Sequence, residues 1–342
     1  MTPASSGRGG PAARPSPSPC LITGAAGFIG SRLALALRSG GSAVRALVRP
    51  GHDVCALERA GAEIVRGDAT DRDALSAAAS GCGVIYHLAA ARGKHKLGYR
   101  AFQTENRRIA EVVGEAALEA GVQRVVVAST ATLTGYGGPD GQTEETPPRP
   151  NSAYRASRLH SEQVFERLRN ERDLDVVIAR VPQRVMGPGA RAWARPVRAV
   201  RDGAVRFLPA GGTIHSGDVD DIVDGLRRCA RTPGIGGECF LLGASAPIGL
   251  RTVLQTIADH LGVAFAPHVV PTAPFRAYVA FGNLVFRYTR RSLPHHFTAE
   301  FYSARIALDI GKARRELGFS PRFESSESVG RTVAWLRDQG LV

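Results

Sequence analysis

The feature that most constrains the fold is a glycine-rich segment, TGAAGFIG, at residues 23–30. It follows a short apolar run at 20–25 that we predict to be a strand, and it opens an amphipathic segment at 28–40 that we predict to be a helix. Glycines at such a junction let the backbone turn tightly and approach a pyrophosphate, and the following helix N-terminus supplies N–H donors. Gly24, Gly27 and Gly30 therefore predict a dinucleotide-binding turn, although the spacing is GxxGxxG and not the commoner GxGxxG.

Apolar runs alternate with amphipathic segments from residue 20 to about residue 185. The predicted strands lie at 20–25, 43–49, 62–68, 83–90, 124–130 and 175–181, and the predicted helices at 28–40, 53–60, 71–80, 99–120 and from about 151. This alternation predicts an α/β fold of the Rossmann type, with a doubly wound parallel sheet and helices on both faces.

The domain organisation follows from where the alternation starts and fades. We predict a disordered tail at 1–18, rich in Pro, Ser and Gly, and an NADP-binding Rossmann domain at 19–186. Residues 187–342 form a mixed region, mainly a smaller C-terminal substrate-binding lobe, with segments that return to the main domain.

Composition excludes several classes of protein. A chain of 342 residues that is 44% hydrophobic can bury a large core, but it has no apolar run of about 18 residues, so we expect no transmembrane segment. We interpret the net charge of +13 first as a composition biased toward arginine, with an anionic ligand as the alternative, whereas no nucleic-acid motif is present and no nucleic-acid partner is expected. Five cysteines without zinc spacing, and no secretory signal, predict a cytoplasmic protein with reduced, buried thiols. No metal site is expected, because His215, His295 and His296 have no partners at metal-ligand spacing.

The end of the second predicted strand bears on the choice of cofactor. An NAD-specific site places Asp or Glu there, whereas this chain has Leu47-Val48-Arg49. An arginine pairs with a 2′-phosphate, so Arg49 or Arg45 favours NADP(H) over NAD(H). Asp68, after the third strand, is a candidate acceptor for the adenine amino group, and Asp71 is predicted to cap the next helix.

Further motifs follow the later strands and helices. They are HLAA at 87–90, Asn106, VVASTATLTG at 126–135, SAYRASRLHSEQ at 152–163, DVDDIV at 218–223 and KARRELGFSP at 312–321. With the glycine turn, they make the chain resemble the extended short-chain dehydrogenase/reductases of the NAD-dependent epimerase/dehydratase superfamily, from residue 20 to about 340. The resemblance is closest to the branch of dihydroflavonol reductases and 3β-hydroxysteroid dehydrogenases.

The resemblance implies a catalytic set. Thr130, five residues before Gly135, would hold the substrate oxygen, and Tyr154 would pass a proton while hydride moves to or from the nicotinamide. A free phenol titrates near pH ~10, so it needs a nearby cation at neutral pH. The family places a lysine four residues after the tyrosine, but this chain has Arg158. Arginine keeps the charge, yet its planar fork does not release a proton.

The motifs and the resemblance together predict the cofactor-binding residues. These are Gly24, Gly27, Phe28, Ile29, Gly30, Arg49, Asp68, Ala69, Leu88, Ala89, Ala90, Asn106, Tyr154 and Arg158.

We predict an NADP(H)-dependent oxidoreductase, a ketone reductase or alcohol dehydrogenase, for a small substrate that is fairly apolar or acid-bearing. Ser129, Thr132, Gln183 and Arg184 are the tentative substrate residues. The alternatives are a nucleotide-sugar epimerase or dehydratase and, because of Arg158, an altered-chemistry or non-catalytic dinucleotide-binding protein. Gln183 and Arg184 stand where epimerases of the family show an asparagine that holds sugar-nucleotide phosphates, which counts against a nucleotide sugar.

Two C-terminal segments leave alternatives open. The arginines at 191–206 form either a clamp for an anionic or carrier-bound substrate or a solvated helix face. The aromatic stretch at 275–288 either packs within the lobe, roofs an apolar pocket, or makes a weak peripheral membrane contact beside Arg276, Arg287, Arg290 and Arg291. A homodimer is compatible with the sequence.

Overall fold

A computed structural model of the chain describes residues 18–91, 99–135 and 141–342. The predicted tail at 1–18 lies outside these residues except for its last position. The strands are β1 Cys20–Thr23, β2 Val44–Val48, β3 Glu63–Arg66, β4 Val84–His87, β5 Arg124–Thr130, β6 Val176–Val181, β7 Arg184–Met186, β8 Phe207–Pro209, β9 Thr213–Ile214, β10 Ser216–Asp218, β11 Cys239–Leu241, β12 Ile248–Gly249 and β13 His268–Val270. The α-helices are α1 Phe28–Ser39, α2 Cys55–Arg59, α3 Arg72–Ala79, α4 Tyr99–Glu119, α5 Ala153–Arg172, α6 Ala194–Arg201, α7 Val219–Arg231, α8 Leu250–Leu261, α9 Ala273–Thr289, α10 His296–Ser303, α11 Gly311–Leu317 and α12 Ser325–Asp338.

A seven-stranded parallel sheet in the order β11-β6-β5-β4-β1-β2-β3 forms the centre of the molecule. The chain runs outward in one direction from β1 to β3 and then crosses back to β4 on the other side of β1. This reversal is the topological switch point at which α/β sheets bind ligands, beyond the carboxyl ends of their strands. The predicted Rossmann-type α/β fold is confirmed.

Both faces of the sheet are buried, which is why its strands are almost continuously apolar. Because side chains alternate along a strand, Ile22 and Val126 join one apolar layer with α1, α7 and α11, whereas Leu21 and Val125 join another with α3, α4 and α5. Every strand and helix predicted between residues 20 and 185 is present. The reason is that each element carries the period-2 or period-3.6 pattern that burial on one side requires.

The region after residue 187 divides between two cores. Helix α7 packs on α1, and β11 pairs in parallel with β6 to form one edge of the main sheet. In contrast, α6, α8 and α12 enclose a third apolar cluster with Met186 and Trp193, beside three two-stranded ladders.

The structure changes one expectation, about the cysteines, and decides between two alternatives for the arginines of α6. Cys55 is exposed and Cys239 is partly exposed, so the expectation that all five thiols are buried was wrong. Helix α2 packs its Leu57 side against the core and leaves its Cys55 side in water. Arg195, Arg198 and Arg201 lie on the exposed side of α6, and Arg198 donates to Leu341 O at 2.8 Å, which favours the solvated-face alternative for this segment.

Candidate functional site

The carboxyl ends of β1, β4, β5 and β6 meet at one edge of the sheet, because neighbouring parallel strands end side by side. Most of the predicted site residues follow these ends directly. Gly24 follows β1, Leu88–Ala90 follow β4, Thr130 ends β5, and Gln183 lies two residues after β6. The topology therefore gathers residues that are more than 100 positions apart in sequence.

The glycine turn leaves no room for side chains at two positions. Gly24 has φ +72°, and a Cβ there would lie 2.8 Å from Ala89 N. A Cβ on Gly30 would lie 2.3 Å from Gly24 O, and Gly27 N donates to that same oxygen at 2.9 Å. Such a bare backbone surface fits a dinucleotide pyrophosphate, which needs close main-chain approach.

Helix α1 begins directly after this turn. Its N-cap is Gly27, which has no side chain with which to cap the first-turn N–H groups. Phe28, Ile29 and Gly30 form that first turn, and the Phe28 ring lies next to Gly189, where an added Cβ would be 3.0 Å from the ring. The predicted diphosphate contacts thus stand at the positive end of a helix dipole.

A buried polar group lies just below the turn. Thr23 Oγ1 is 2.9 Å from His87 Nδ1 and accepts from Ala89 N at 3.2 Å, which ties the ends of β1 and β4 together. Burial, with a smaller contribution from the Arg158 charge, lowers the pKa of His87 to about 3, so the imidazole is neutral at pH 7. Neither residue was among the predicted site residues, although His87 opens the HLAA motif.

Asn106 joins three parts of the site. Its Oδ1 accepts from Ala91 N at 2.8 Å, and its Nδ2 donates to Ser157 Oγ at 2.8 Å. Ser157 Oγ in turn donates to Tyr154 O at 2.7 Å. These contacts connect the segment after β4, helix α4 and the first turns of α5, so Asn106 orients groups around the cofactor edge.

A cluster of hydroxyls ends β5. Thr130 Oγ1 lies 3.0 Å from Thr132 Oγ1 and accepts from Thr132 N at 3.3 Å. Ser129 Oγ is buried and has no hydrogen-bond partner among the described residues. The Thr130 and Thr132 hydroxyls thus form a hydroxyl cluster at this edge, whereas the Ser129 side chain, on the neighbouring strand position, points to the opposite face of the sheet.

Helix α5 presents Tyr154 and Arg158 one turn apart, on the same side of the helix. Ser152 caps this helix, accepting from Arg155 N at 3.3 Å, and Tyr154 follows in its first turn with part of its surface exposed. Arg158 is buried, and its guanidinium donates to Ala128 O at 2.5 Å. The guanidinium thus reaches the β5 backbone two residues before Thr130.

The two arginines considered for a 2′-phosphate have different surroundings. Arg49 follows β2, is exposed, and its guanidinium lies 3.4 Å from His52 Nε2. Arg45 lies inside β2, where it pairs with Glu63 at 2.9 Å and donates to Ala78 O at 2.7 Å. Arg45 is therefore held within the sheet between β1 and β3, and of the two arginines Arg49 alone stands at the ligand end of the strand.

The segment after β3 also has defined contacts. Asp68 Oδ1 accepts from Thr70 N at 2.9 Å and from Thr70 Oγ1 at 2.8 Å. Ala69, the residue between Asp68 and Thr70, is buried. Asp71 accepts from Asp73 N and Ala74 N, so the predicted cap of α3 is confirmed.

A cleft opens beside the hydroxyl cluster. Three of the four tentative substrate residues, Thr132, Gln183 and Arg184, line it. Arg184 lies over the Phe301 ring, 4.3 Å from the ring centroid, a cation–π contact that orients the guanidinium. The remaining lining residues are Ala131, Gly135, Gln142, Pro182, Ile214, His215, Ile306 and Leu308.

His215 and Gln142 are cleft residues that sequence reasoning did not assign to the site. His215 Nε2 donates to Ala244 O at 2.8 Å while Nδ1 accepts from Leu308 N at 2.9 Å, and burial lowers its pKa, so the ring is neutral with both nitrogens in use. Gln142 Nε2 donates to Gly135 O at 2.8 Å. Neither lies in a recognisable motif.

The described part of the chain contains neither a cluster of metal ligands nor a membrane-spanning helix. No group of three or more His, Cys, Asp or Glu side chains there is arranged to hold a metal ion. None of its helices is both long enough and apolar enough to cross a membrane.

Known proteins resemble the chain along most of its length. The 4-hydroxy-2-methyl-3-oxo-4-farnesyl-3,4-dihydroquinoline-1-oxide ketoreductase of Stigmatella aurantiaca is 28% identical over 90% of this chain and 94% of that protein. Sterol demethylase protein B of Methylococcus capsulatus is 30% identical over 94% and 99%. The crystal structure of the dTDP-glucose 4,6-dehydratase DesIV of Streptomyces venezuelae, with NAD bound, is 26% identical and superposes with a TM-score of 0.75 over 93% of this chain and 97% of that chain.

The predicted superfamily is also confirmed by a family model. The model of the NAD dependent epimerase/dehydratase family matches residues 20–243, which include the glycine turn, the hydroxyl cluster, Tyr154 and Arg158. Dehydrogenases, reductases and epimerases are among the relatives, and NAD-bound structures are among the neighbours. The chain belongs to the NAD dependent epimerase/dehydratase family, within the extended short-chain dehydrogenase/reductases.

Proposed function

We propose that this chain is an NADP(H)-dependent oxidoreductase, a ketone reductase or alcohol dehydrogenase, for small substrates that are fairly apolar or acid-bearing. The observation that carries the proposal is that the buried Arg158, one helical turn after Tyr154 on α5, reaches Ala128 O, two residues before Thr130, at the sheet edge that also holds the glycine turn. A relative that is a ketoreductase for a farnesylated quinoline supports the same class of reaction.

In this proposal NADP(H), when bound, supplies or accepts the hydride. The backbone at Gly24 and Gly27 and the start of α1 bind the diphosphate, and Arg49 pairs with the 2′-phosphate. The Thr130 hydroxyl donates to the substrate oxygen and so fixes its position. Tyr154 Oη delivers a proton to that oxygen during reduction and removes one during oxidation. The Arg158 charge stabilises the phenolate that remains.

The cleft beside Thr132 supports the proposed class of substrate. Ile214, Ile306 and Leu308 give it an apolar wall, and Arg184 with Gln183 gives it a polar, cationic end. The cleft encloses only about 10 Å³ in this structure, so in this proposal it widens to admit an apolar ketone, and Arg184 binds a carboxylate or phosphate on that ketone by a charge-assisted hydrogen bond.

A nucleotide-sugar epimerase or dehydratase is the second candidate. It is favoured by the structural similarity to an NAD-bound dTDP-glucose 4,6-dehydratase. Arg184 counts against it. This residue stands after β6, where epimerases of the family show an asparagine that holds the sugar-nucleotide phosphates, and its side chain is stacked on the Phe301 ring. An altered or non-catalytic role is a third candidate, since Arg158 replaces the expected lysine.

The deciding experiment compares reactions directly. The protein is incubated with NADPH or NADH and a panel of ketones that differ in apolar size and in the presence of a carboxylate, and separately with UDP-glucose and dTDP-glucose. We expect NADPH oxidation with the ketones. Conversion of a nucleotide sugar without net cofactor turnover would establish the second candidate instead.

A substitution at Tyr154 tests the proposed proton donor. Tyr154→Phe should lower turnover by about 10²–10⁴-fold, because positioned proton transfer contributes that much, and leave NADPH affinity nearly unchanged. Tyr302→Phe is the matched control, since Tyr302 packs against the third apolar cluster. If Tyr154→Phe keeps more than about a tenth of the rate, Tyr154 is not the acid.

A further inference from the structure

Helix α9 carries most of the large apolar side chains that are exposed in the described part of the chain. Among the described side chains, six large apolar ones are exposed, and four of them belong to α9: Tyr278, Phe281, Leu284 and Tyr288, at 37%, 57%, 51% and 75% exposure. Spacings of three and four residues place these side chains on one side of the helix. Single exposed apolar residues are ordinary on protein surfaces, but a contiguous aromatic face marks an interaction site.

The opposite side of α9 already has its packing partners. Gly282 and Phe286 are buried, and a Cβ on Gly282 would lie 2.1 Å from the His296 ring of α10. The Phe286 ring stacks edge-on against Tyr99 of α4, with 6.1 Å between centroids. The outward aromatic face is therefore not needed to attach the helix to the fold.

The charge around this face has one sign. No acidic residue occurs between Asp259 and Glu300, a stretch that contains Arg276, Arg287, Arg290 and Arg291. All four arginines are exposed. Arg276 and Arg287 are eleven residues apart, about three helical turns, so both lie along the same border of the aromatic face.

The aromatic face of α9 and the arginines beside it together indicate which kind of partner the helix binds. A helix with exposed aromatic and leucine side chains on one side and arginines along its border is typical of helices that lie in the interface of a bilayer. Arginines near such a surface are attracted by anionic headgroups. A second copy of the chain is disfavoured where the two α9 helices would pair antiparallel, because that twofold contact would oppose arginine to arginine.

The same helix touches the segment that carries the proposed catalytic tyrosine. Asn151, three residues before Tyr154, donates from Nδ2 to Asn283 of α9 at 2.8 Å. Arg155 pairs with Glu300 of α10 at 3.0 Å, with both side chains buried. A surface bound at α9 is therefore next to the start of α5.

We propose that α9 docks on the surface of an anionic lipid bilayer. Phe281, Leu284 and Tyr288 enter the headgroup–acyl boundary, and Arg287 and Arg291 pair with lipid phosphates. A second step rests on the proposed function: the docked protein takes up an apolar ketone dissolved in the membrane.

Vesicle sedimentation tests the docking without any assay of turnover. The full chain is mixed with sucrose-loaded vesicles of phosphatidylcholine, with or without phosphatidylserine, at low and high salt. We expect binding to the phosphatidylserine vesicles that weakens with salt. Phe281→Ser with Leu284→Ser should abolish it, and Arg287→Gln and Arg291→Gln should each weaken it about fivefold. Phe207→Ser, which removes another exposed aromatic, should bind like the wild type.

The outcomes separate docking from other uses of the face. All variants are checked for unchanged thermal unfolding and NADPH affinity. Equal binding to both kinds of vesicle, or no binding, overturns the proposal. So does a dimer in analytical ultracentrifugation that Phe281→Ser dissociates, because the face would then be a subunit interface.

Uptake from the membrane is tested separately. With an apolar ketone from the panel embedded in vesicles, the Phe281→Ser, Leu284→Ser variant should turn over more slowly than the wild type, while both act equally on a water-soluble ketone. Equal rates on the embedded ketone would remove the uptake step and leave docking intact. No turnover of either ketone by the wild type would contradict the proposed function and not the docking.

Discussion

At the scale of single residues, Arg158 is the position on which the proposed chemistry depends most. Its guanidinium is buried against the β5 backbone, one helical turn from Tyr154. An arginine stays charged at every accessible pH, so its field on the phenol persists. Its charge is, however, spread over a plane that is already hydrogen-bonded to Ala128 O.

We therefore expect Arg158 to bind cofactor but to activate Tyr154 less well than a lysine. Arg158→Lys should retain or raise the rate of ketone reduction, and Arg158→Ala should lower both the rate and NADPH affinity. Steady-state kinetics and calorimetric titration measure the two effects, with thermal unfolding as the control for folding. A Lys variant that binds NADPH but is inactive would show that the fork itself is required, for instance to pair with a substrate carboxylate or phosphate.

In the proposed function, the choice of cofactor depends on Arg49. Arg49→Ala should weaken NADP(H) binding by about 1–3 kcal/mol, the range for hydrogen bonds to charged groups, and leave NAD(H) binding unchanged. Arg59→Ala is the matched control, because Arg59 is also exposed and its loss changes the net charge equally. Calorimetry with both cofactors measures this, and tighter binding of NAD(H) by the wild type would refute the preference.

At the scale of elements, the junction of β1 and α1 depends on the absence of side chains. A Cβ on Gly30 would lie 2.3 Å from Gly24 O, so the helix must move away from the turn. Gly30→Ala should therefore lower the free energy of unfolding by about 1–3 kcal/mol, as overpacking does, and abolish NADPH binding.

The control for Gly30 lies at the other end of the same helix. Gly40 ends α1 with φ −83°, and its nearest neighbour to an added Cβ is Ala36 O at 3.4 Å. Gly40→Ala should fold and bind NADPH like the wild type in denaturant titration and calorimetry. If Gly30→Ala behaves in the same way as Gly40→Ala, close backbone packing does not define the turn.

At the scale of the whole molecule, a buried ion pair links helix α5 to the C-terminal helix α10. Arg155 and Glu300 are 145 residues apart in sequence, and Asn151 also donates to Glu300 Oε1 at 2.8 Å. Glu300→Ala should lower the free energy of unfolding by about 3–5 kcal/mol, because it leaves the Arg155 charge buried without that carboxylate.

A surface pair provides the comparison for this measurement. Arg201 and Asp202 are both exposed, and Asp202→Ala should leave the unfolding curve in place, since solvent screens such pairs. Replacing both buried partners, Arg155→Met with Glu300→Leu, should recover much of the loss. An equal effect of Glu300→Ala and Asp202→Ala would mean that the buried pair does not hold the two parts together.

The sequence alone determined whatever depends on local pattern. Strand and helix positions up to β6 follow from hydrophobic period, because each element must bury one or both of its sides. The turn at Gly24 and the cap at Asp71 follow from backbone geometry and short-range hydrogen bonds. Thr130 and Tyr154 were located because each lies in a motif that the family resemblance covers.

Tertiary structure decided what depends on contacts between distant segments. Arg45 and Arg49 look equivalent in sequence, but the register of β2 with β3 puts Arg45 beside Glu63 and leaves Arg49 at the end of the strand. His215 and Gln142 enter the cleft from segments without a motif, since only the packed fold brings them to Thr132. No local rule encodes such meetings, because their energies arise only after the chain has closed the long loops between them.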